Sequence, residues 1–362
     1  MKKLFVLIAL TLLISASVAQ AQDRKFSLYA VGFYNLENLF DTCHDAGHND
    51  YEYLPEGPNH WTPMKYEHKL RNMSRVLSEM GTDMLPASIG CAFIGVSEVE
   101  NAKCLADLCA QPPLAARNMQ FCHIEGPDQR GVDCALLYNP KLFTVRDVKL
   151  IPYIYILPED SLRATRGFLT VSGTMAGEHV AVIVNHLPSR FAGSFYREEG
   201  GRQIKIVKDS LQREDPDVKI FIMGDMNDDP QDPSMAVKLG ARREISEVEP
   251  FGLWNPFWNV LASGTGTLQY DGKWNLFDQI ILSRNLIDVD KLKDRKKFDF
   301  KPSEVDCSTL TYFRHQVFRR DYLFQQEGKY KGNTLRTHAG GQWLDGYSDH
   351  LPTVVYLVKE QK

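Results

Sequence analysis

Short apolar runs rich in Val, Ile, Leu, Phe and Tyr recur along this chain, at about 27 to 34, 93 to 97, 119 to 124, 133 to 138, 168 to 175, 179 to 185, 219 to 224, 278 to 283 and 352 to 358. Runs of that length bounded by polar or turn-forming residues read as buried strands. A different period appears from about 65 to 80, where Leu70, Met73, Val76, Leu77 and Met80 keep a three-to-four spacing, and again from about 198 to 212. Residues at that spacing share one helix face. Strands predominate, with helices between some of them, which predicts an α/β fold of two packed sheets with helices on their outer faces. No Gly-, Ser- or Pro-rich linker and no internal repeat interrupts the pattern, so residues 22–362 are expected to form one domain.

The runs carry polar tags at or near their ends: YNLEN (34–38), GVSEVE (95–100), TRGF (165–168), VNH (184–186), GDMND (224–228), LFDQI (276–280) and YSDH (347–350). A side chain at a strand end can leave the sheet, and many such ends brought together make a site. The residue types are carboxylates, carboxamides, two histidines and an arginine, the set that holds a hard metal ion and cleaves a phosphate ester. Between Asp41 and Pro63 the sequence is polar and broken by Gly and Pro, a long loop beside the first tag and placed to shape substrate entry. Its aspartates read as solvated loop charges rather than ligands of a structural calcium.

Within the tags, Glu98 follows the apolar stretch AFIGVS. A carboxylate leaving an apolar strand is costly unless a cation or donors neutralise it, which makes Glu98 the first candidate metal ligand. Glu100, next along, reads as an ordinary surface carboxylate. His350 precedes the final strand, and Asp278 opens another. A carboxylate accepting from one imidazole nitrogen fixes the tautomer and raises the basicity of the other, which can then draw a proton from water. Asp225 and Asn227 emerge together after KIFIMG, where a plain strand-to-loop turn would also favour Asp and Asn. Asn185 and His186 close the run VAVIV, and Arg166 precedes another strand.

Composition changes the setting more than the fold. The opening MKKLFVLIALTLLISASVAQAQ has two lysines, an apolar run from Leu4 to about Val18 and a small-x-small Ala19-Gln20-Ala21, the pattern of a secretory signal peptide over residues 1–21. The run is short for a bilayer span and no later stretch is long enough for one, so export to a periplasm or the medium is expected, without stable membrane insertion. The 42 Lys and Arg face 46 Asp and Glu, and without Lys2 and Lys3 the balance is 40 against 46, a net −6. That is not the global charge of a tight nucleic-acid binder, but a cation in an acidic cleft can still receive a phosphate. The basic residues Lys291, Lys293, Arg295, Lys296, Lys297 and Lys301 read as a solvated face. Seven cysteines, odd in number, lack the spacing of a small disulfide framework. Cys134 lies inside a strand, Cys104 and Cys109 would point to nearly opposite sides of one helix, and no paired Cys and His spacing suggests zinc.

In their order and strand context, GDMN, SDH and the other tags resemble the endonuclease/exonuclease/phosphatase superfamily over essentially the whole mature chain, and YNLENLFDT followed by WTPMKYEHKL resembles its exported bacterial members. The resemblance implies a four-layer α/β sandwich of two packed, mostly antiparallel sheets flanked by helices. It places the principal magnesium ligand at Glu98, with Asn35, Glu37 and Asp349 around the ion directly or through water; manganese or calcium could substitute. It pairs His350 with Asp278 to activate water and has Asp225 and Asn227 orient the nucleophile and touch the phosphate. Arg166 and Asn185 fall near the phosphate, and His186 serves a nonbridging oxygen or the leaving group. A histidine at that place is similar to the deoxyribonuclease, sphingomyelinase and inositol polyphosphate phosphatase branches. The stretch RGVDCALLY lacks the tyrosine that apurinic endonucleases carry ahead of a strand, which argues against an abasic-site enzyme. The expected activity is magnesium-dependent hydrolysis of phosphate esters, with nucleic acid the leading substrate and no protein partner implied. Two rival readings stand beside it: a lipid, inositol or sugar phosphate phosphatase or phosphodiesterase, sphingomyelinase-like, and a catalytically silent binding protein on the same scaffold.

Overall fold

The computed structural model describes residues 24–156, 162–295 and 297–361. The expected signal peptide and Lys296 of the basic run lie outside the described residues. Among these residues one large sheet contains β1 (Phe26–Leu39), β2 (Phe93–Val99), β3 (Gln120–His123), β4 (Asp133–Tyr138), β14 (Thr311–Val317) and β17 (Thr353–Glu360). Their order is β14-β17-β1-β2-β4-β3, so the first and last strands lie side by side, antiparallel from Phe26↔Glu360 to Phe33↔Thr353. The second sheet contains β5 (Phe143–Ile156), β6 (Leu162–Met175), β7 (Glu178–His186), β8 (Lys219–Asp225), β9 (Ala241–Arg242), β10 (Leu253–Trp254) and β13 (Asp278–Ser283). Its order is β5-β6-β7-β8-β13-β10-β9. Most pairings are antiparallel; β1 with β2, β7 with β8 and β9 with β10 are parallel. Two small hairpins join β11 (Leu268–Tyr270) to β12 (Lys273–Asn275) and β15 (His338–Ala339) to β16 (Gln342–Trp343).

The sheets pack through their apolar faces. Phe93 of β2 meets Phe143 and Phe221 edge-on, with ring centroids 5.1 and 5.4 Å apart. Gly95 permits this approach, because a Cβ there would lie 2.7 Å from Met223 Sδ of β8. Helix α1 (Pro63–Glu79) packs against β1, with Leu70, Met73, Val76 and Leu77 buried, Thr62 as its N-cap and Pro63 opening it. Two short helices, α2 (Ala102–Cys109) and α3 (Pro112–Ala115), pack beside it. On the second sheet α4 (Ser194–Glu214) buries Ile204 in a separate apolar cluster with Ile183, Ile220, Ile222 and Ile281. Helix, sheet, sheet and helix make the expected four layers.

The apolar pattern missed the two- and three-residue strands β9, β10, β11, β12, β15 and β16, and two longer ones, β5 and β14, which are both edge strands. β5 includes Arg146, Asp147 and Lys149, and β14 includes Arg314, His315 and Gln316, so only part of each enters the core. The loop from Asp41 to Pro63 stays irregular apart from one helical turn at Tyr51–Tyr53. Its acids are not all solvated: Asp41 and Asp50 are buried, Asp41 accepting from the Cys43 amide at 2.7 Å and Asp50 from the Asp45 amide at 2.7 Å. All seven cysteines are free, and Cys134 is buried in β4. The described part of the basic run is solvated as expected, Lys291, Lys293, Lys297 and Lys301 being exposed. Among the described residues no helix is long and apolar enough to cross a membrane.

Candidate active site

The strand ends that carry the tags are irregular. β1 and β2 pair through Asn35↔Ser97, then the register shifts before Leu39↔Val99. Glu37, Asn38 and Glu98 take φ values of 49°, 56° and 60°, and Asn227, just past β8, takes 49°. Such left-handed backbone is unusual in non-glycine residues and costs of order 1–3 kcal/mol each. Here it is compensated by bonds from the same turns. The Asn38 amide donates to Glu98 Oε2 at 3.0 Å, the Glu37 amide to Asn35 Oδ1 at 2.8 Å, and the Asn227 amide to Asp225 Oδ1 at 2.9 Å.

Register in the second sheet explains the rest. His186 of β7 stands opposite Asp225 of β8, and Asp225 opposite Asp278 of β13, so three titratable side chains line up across three adjacent strands. His350 joins them from the loop before β17, where it pairs with Leu268 at the start of β11. Ser348 holds that loop, its hydroxyl accepting from the His350 amide at 3.1 Å and donating to the Asn35 carbonyl at 2.8 Å. A cleft of about 820 Å³ opens over these ends, lined in part by Glu98, Arg166, His186, Asp225, Asn227, Asp349 and His350.

His350 Nδ1 lies 2.7 Å from Asp278 Oδ2, while Nε2 faces Asp225 Oδ2 at 3.7 Å and Asp349 Oδ1 at 3.9 Å. Burial resists charging of this imidazole, but Asp278 and Asp225 outweigh it and raise its pKa well above the usual histidine value. His186 behaves oppositely. Its Nε2 lies 3.7 Å from Glu98 Oε1 and 3.6 Å from Asp225 Oδ2, yet burial, with Arg166 and Arg130 nearby, holds its pKa well below the usual value. Burial also raises Asp225, helped by Asp278 and Glu98 and opposed by His350. Arg166 is buried and donates to Asp128 Oδ2 at 2.8 Å and to the His186 carbonyl at 3.1 Å, bracing the turn after β7.

Four expected site residues stand behind the cleft wall. Asp278 does so as the partner of His350. Asn35 is buried and donates to Asp225 Oδ2 at 3.0 Å. Glu37, expected around the ion, has both oxygens engaged, by Arg336 Nε at 2.7 Å and the Thr337 amide at 2.8 Å. Its left-handed backbone turns it toward that loop. Asn185, expected against the phosphate, is fully buried and donates to the Met223 carbonyl at 2.9 Å, clamping β7 to β8. Successive strand side chains face opposite ways, so with His186 in the cleft Asn185 faces out of it.

Glu100 is a further correction. It is buried rather than on the surface, accepting from the Asp41 amide at 2.7 Å, and burial pushes its carboxyl up to about 8. Asp41, Glu100 and Cys104 present ligand atoms within 4.8 Å of one another, the one such compact group among the described residues. Sequence reasoning also missed Arg336, which bridges Glu37 to Asp349 Oδ2 at 2.9 Å, and Lys69, which donates to Thr337 Oγ1 at 2.6 Å. Asp128 was missed too. It sits in GPDQRG, which reads as a turn, and Arg336 lies in a loop with no periodic signal.

A sequence profile described as Endonuclease/Exonuclease/phosphatase family matches residues 30–359. The chain belongs to this family. An endonuclease/exonuclease/phosphatase family protein from Bacteroides thetaiotaomicron has a similar structure, with a TM-score of 0.54 and 14% identity over 93% of this chain and 100% of that one. Zebrafish (D. rerio) TDP2 in complex with a single-stranded DNA product gives 0.50 and 14% over 91% and 99%. A mannosyl-6-phosphatase from B. thetaiotaomicron gives 0.51 and 15% over 91% and 99%. No curated protein matches the chain. At these identities the likeness establishes the family's sandwich fold, and the chemistry of this member rests on its own side chains.

Proposed function

We propose that this family member is a divalent-metal-dependent phosphodiesterase acting on nucleic acid. The observation that carries the reading is the imidazole of His350, held through Nδ1 by Asp278 at 2.7 Å with Nε2 turned toward Asp225 and Asp349 in the cleft. Nε2 takes the proton of the attacking water, and Asp278 keeps the tautomer that leaves that nitrogen free. Of the carboxylates that raise the pKa of His350, Asp349 is one that a bound cation would offset, which would favour the base form.

The residues present fit a hard cation. Glu98 Oε2 is held by the Asn38 amide while Oε1 faces the His186 side of the cleft, and Asp225 and Asp349 add carboxylate oxygens on the His350 side. Oxygen donors of this kind suit magnesium, manganese or calcium. Glu98 and Asp349 would hold the ion, with Asn35 and Glu37 supporting from behind the wall. When bound, it polarises the phosphoryl group. Asn227 and Arg166 hydrogen-bond the phosphate oxygens through N–H groups their internal bonds leave over. His186, kept neutral, donates a hydrogen bond rather than a proton.

Nucleic acid is favoured because TDP2, on the same fold, is described with a single-stranded DNA product. The mannosyl-6-phosphatase shows that the fold also serves sugar monoesters. The signal-like residues 1–21 support a reading in which the protein is exported and acts outside the cytoplasm. A panel of single-stranded DNA, RNA, sphingomyelin, inositol phosphates and mannose 6-phosphate, each with magnesium and with chelator, tests the reading. Turnover of DNA or RNA is expected. Turnover of lipid or sugar esters alone would move the assignment to the rival enzyme class, and binding without turnover of any would favour the silent scaffold.

A further inference from the structure

We infer that Phe191 and Tyr270, at the mouth of the cleft, form a stacking site for a nucleobase of the substrate, an inference that rests on the phosphodiesterase reading of that cleft. Phe191 sits in the helical turn Arg190–Ala192 and is 99% exposed; Tyr270 ends β11 and is 72% exposed. Both line the cleft. Single exposed apolar residues are ordinary on a protein surface, so exposure alone decides nothing. What distinguishes this pair is how its two supports are joined.

Arg190 joins them. Its Nη1 donates to Asn275 Oδ1 of β12 at 3.1 Å, its Nη2 to Asp229 and Asp232 at 3.0 Å each, and its Nε to the Asn227 carbonyl at 3.3 Å. The guanidinium also lies 4.5 Å from the centre of the Phe277 ring. The turn bearing Phe191 is thereby fastened to the hairpin bearing Tyr270 and to Asn227 in the cleft. At the same end of the hairpin Leu268, paired with Asn275, bridges His350, and Tyr270 stands two residues on toward the tip. The turn and the hairpin that carry the two rings are thus tied to each other and to the reacting centre, which lowers the ordering cost that a flexible rim would impose on binding.

Pro188, Ala192 and Leu268 line the same mouth and give the rings apolar neighbours, beside Ser189, Arg190 and Asn275. Aromatic faces accept any base, and Arg130, its side chain 49% exposed, adds a cation for a neighbouring phosphate. A flat ring beside a phosphodiester is the ligand these groups fit.

The test uses Phe191→Ala and Tyr270→Ala proteins, folding checked by circular dichroism, on a thymidine dinucleotide and on the same diester with both bases replaced by hydrogen. Each variant should raise KM for the dinucleotide about tenfold or more, leave kcat within about threefold and leave the base-free diester unchanged. Phe191→Trp should restore the parental KM. Equal changes on both diesters, or none, would overturn the stacking site, and so would a KM rise confined to mannose 6-phosphate, which would make the rim a sugar platform. Calorimetric binding of thymidine monophosphate separates this from the catalytic reading. If the parent cuts neither diester yet binds the nucleotide, and Phe191→Ala loses that binding, the stacking site stands and the hydrolytic reading falls. If the parent cuts the base-free diester but the variants bind the nucleotide normally, the reverse holds.

Discussion

At the scale of single residues, the site is a set of titratable groups pushed in opposite directions by their neighbours. His350 is raised by Asp278 and Asp225, whereas His186 is lowered by burial and two arginines. Replacing Asp278 by Asn keeps the shape but removes the charge that orients the imidazole, so kcat should fall by at least about 100-fold with the fold intact; kinetics alongside circular dichroism checks this. A neutral His186 cannot deliver a proton to a leaving group. His186→Gln should therefore slow a sugar-alkoxide diester and an activated nitrophenyl diester by similar factors, and a loss confined to the alkoxide would restore the acid role. The residues with carboxylate and imidazole chemistry were legible from their tags, because each tag ends an apolar run. Arg336, Lys69 and Asp128 were not, since a lone basic or acidic residue in a loop or on a helix gives no sign of what it will meet. Glu100 misled for a related reason: its burial comes from the Asp41 loop folding over it, which strand periodicity does not encode.

At the scale of elements, glycines set how closely the strands approach. A Cβ on Gly224 would lie 2.1 Å from the Asn185 carbonyl oxygen, a backbone atom, whereas one on Gly95 would lie 2.7 Å from the end of the flexible Met223 side chain. Gly224→Ala should therefore cost more stability than Gly95→Ala in urea melts, with overpacking of this kind worth about 1–3 kcal/mol. It should also reduce turnover, because it pushes β7, and His186 with it, away from Asp225. Central strands were legible because they are apolar throughout, and the edge strands β5 and β14 were not, because their polar residues break the pattern. β14 carries its own pH dependence. Burial and the adjacent Arg314 lower His315 from 6.5 to about 4, among the rings of Trp254, Phe257 and Phe298. The folded state thus binds this proton less readily than the unfolded state, and the stability is full above about 6.5 and declines as pH falls toward 4, by at most about 1.4 kcal/mol per unit. Urea midpoints at neutral and mildly acid pH should show that decline in the parent and less of it in His315→Gln; identical slopes would reject it.

At the scale of the whole molecule, acidic groups concentrate where a phosphate must arrive. The chain without its first 21 residues has a net charge of −6, and Glu98, Asp225, Asp278 and Asp349 gather at the cleft and its back wall. A polyanion entering such a cleft needs a cation to offset that field. The layered fold was legible from the alternation of strand-like and helix-like runs, and the convergence of strand ends on one cleft from the order of the tags through their resemblance to the family. The rim that would select the substrate was not legible, because Phe191 lies in a short turn and Tyr270 ends a three-residue strand, both outside every apolar run. Hydrolysis of a single-stranded oligonucleotide, measured with magnesium and with excess chelator for the parent and for Glu98→Gln, tests the central claim most directly. The account predicts cleavage by the parent only with the cation and a loss of at least about 100-fold in Glu98→Gln; full cleavage in chelator, or a fully active Glu98→Gln protein, would contradict it.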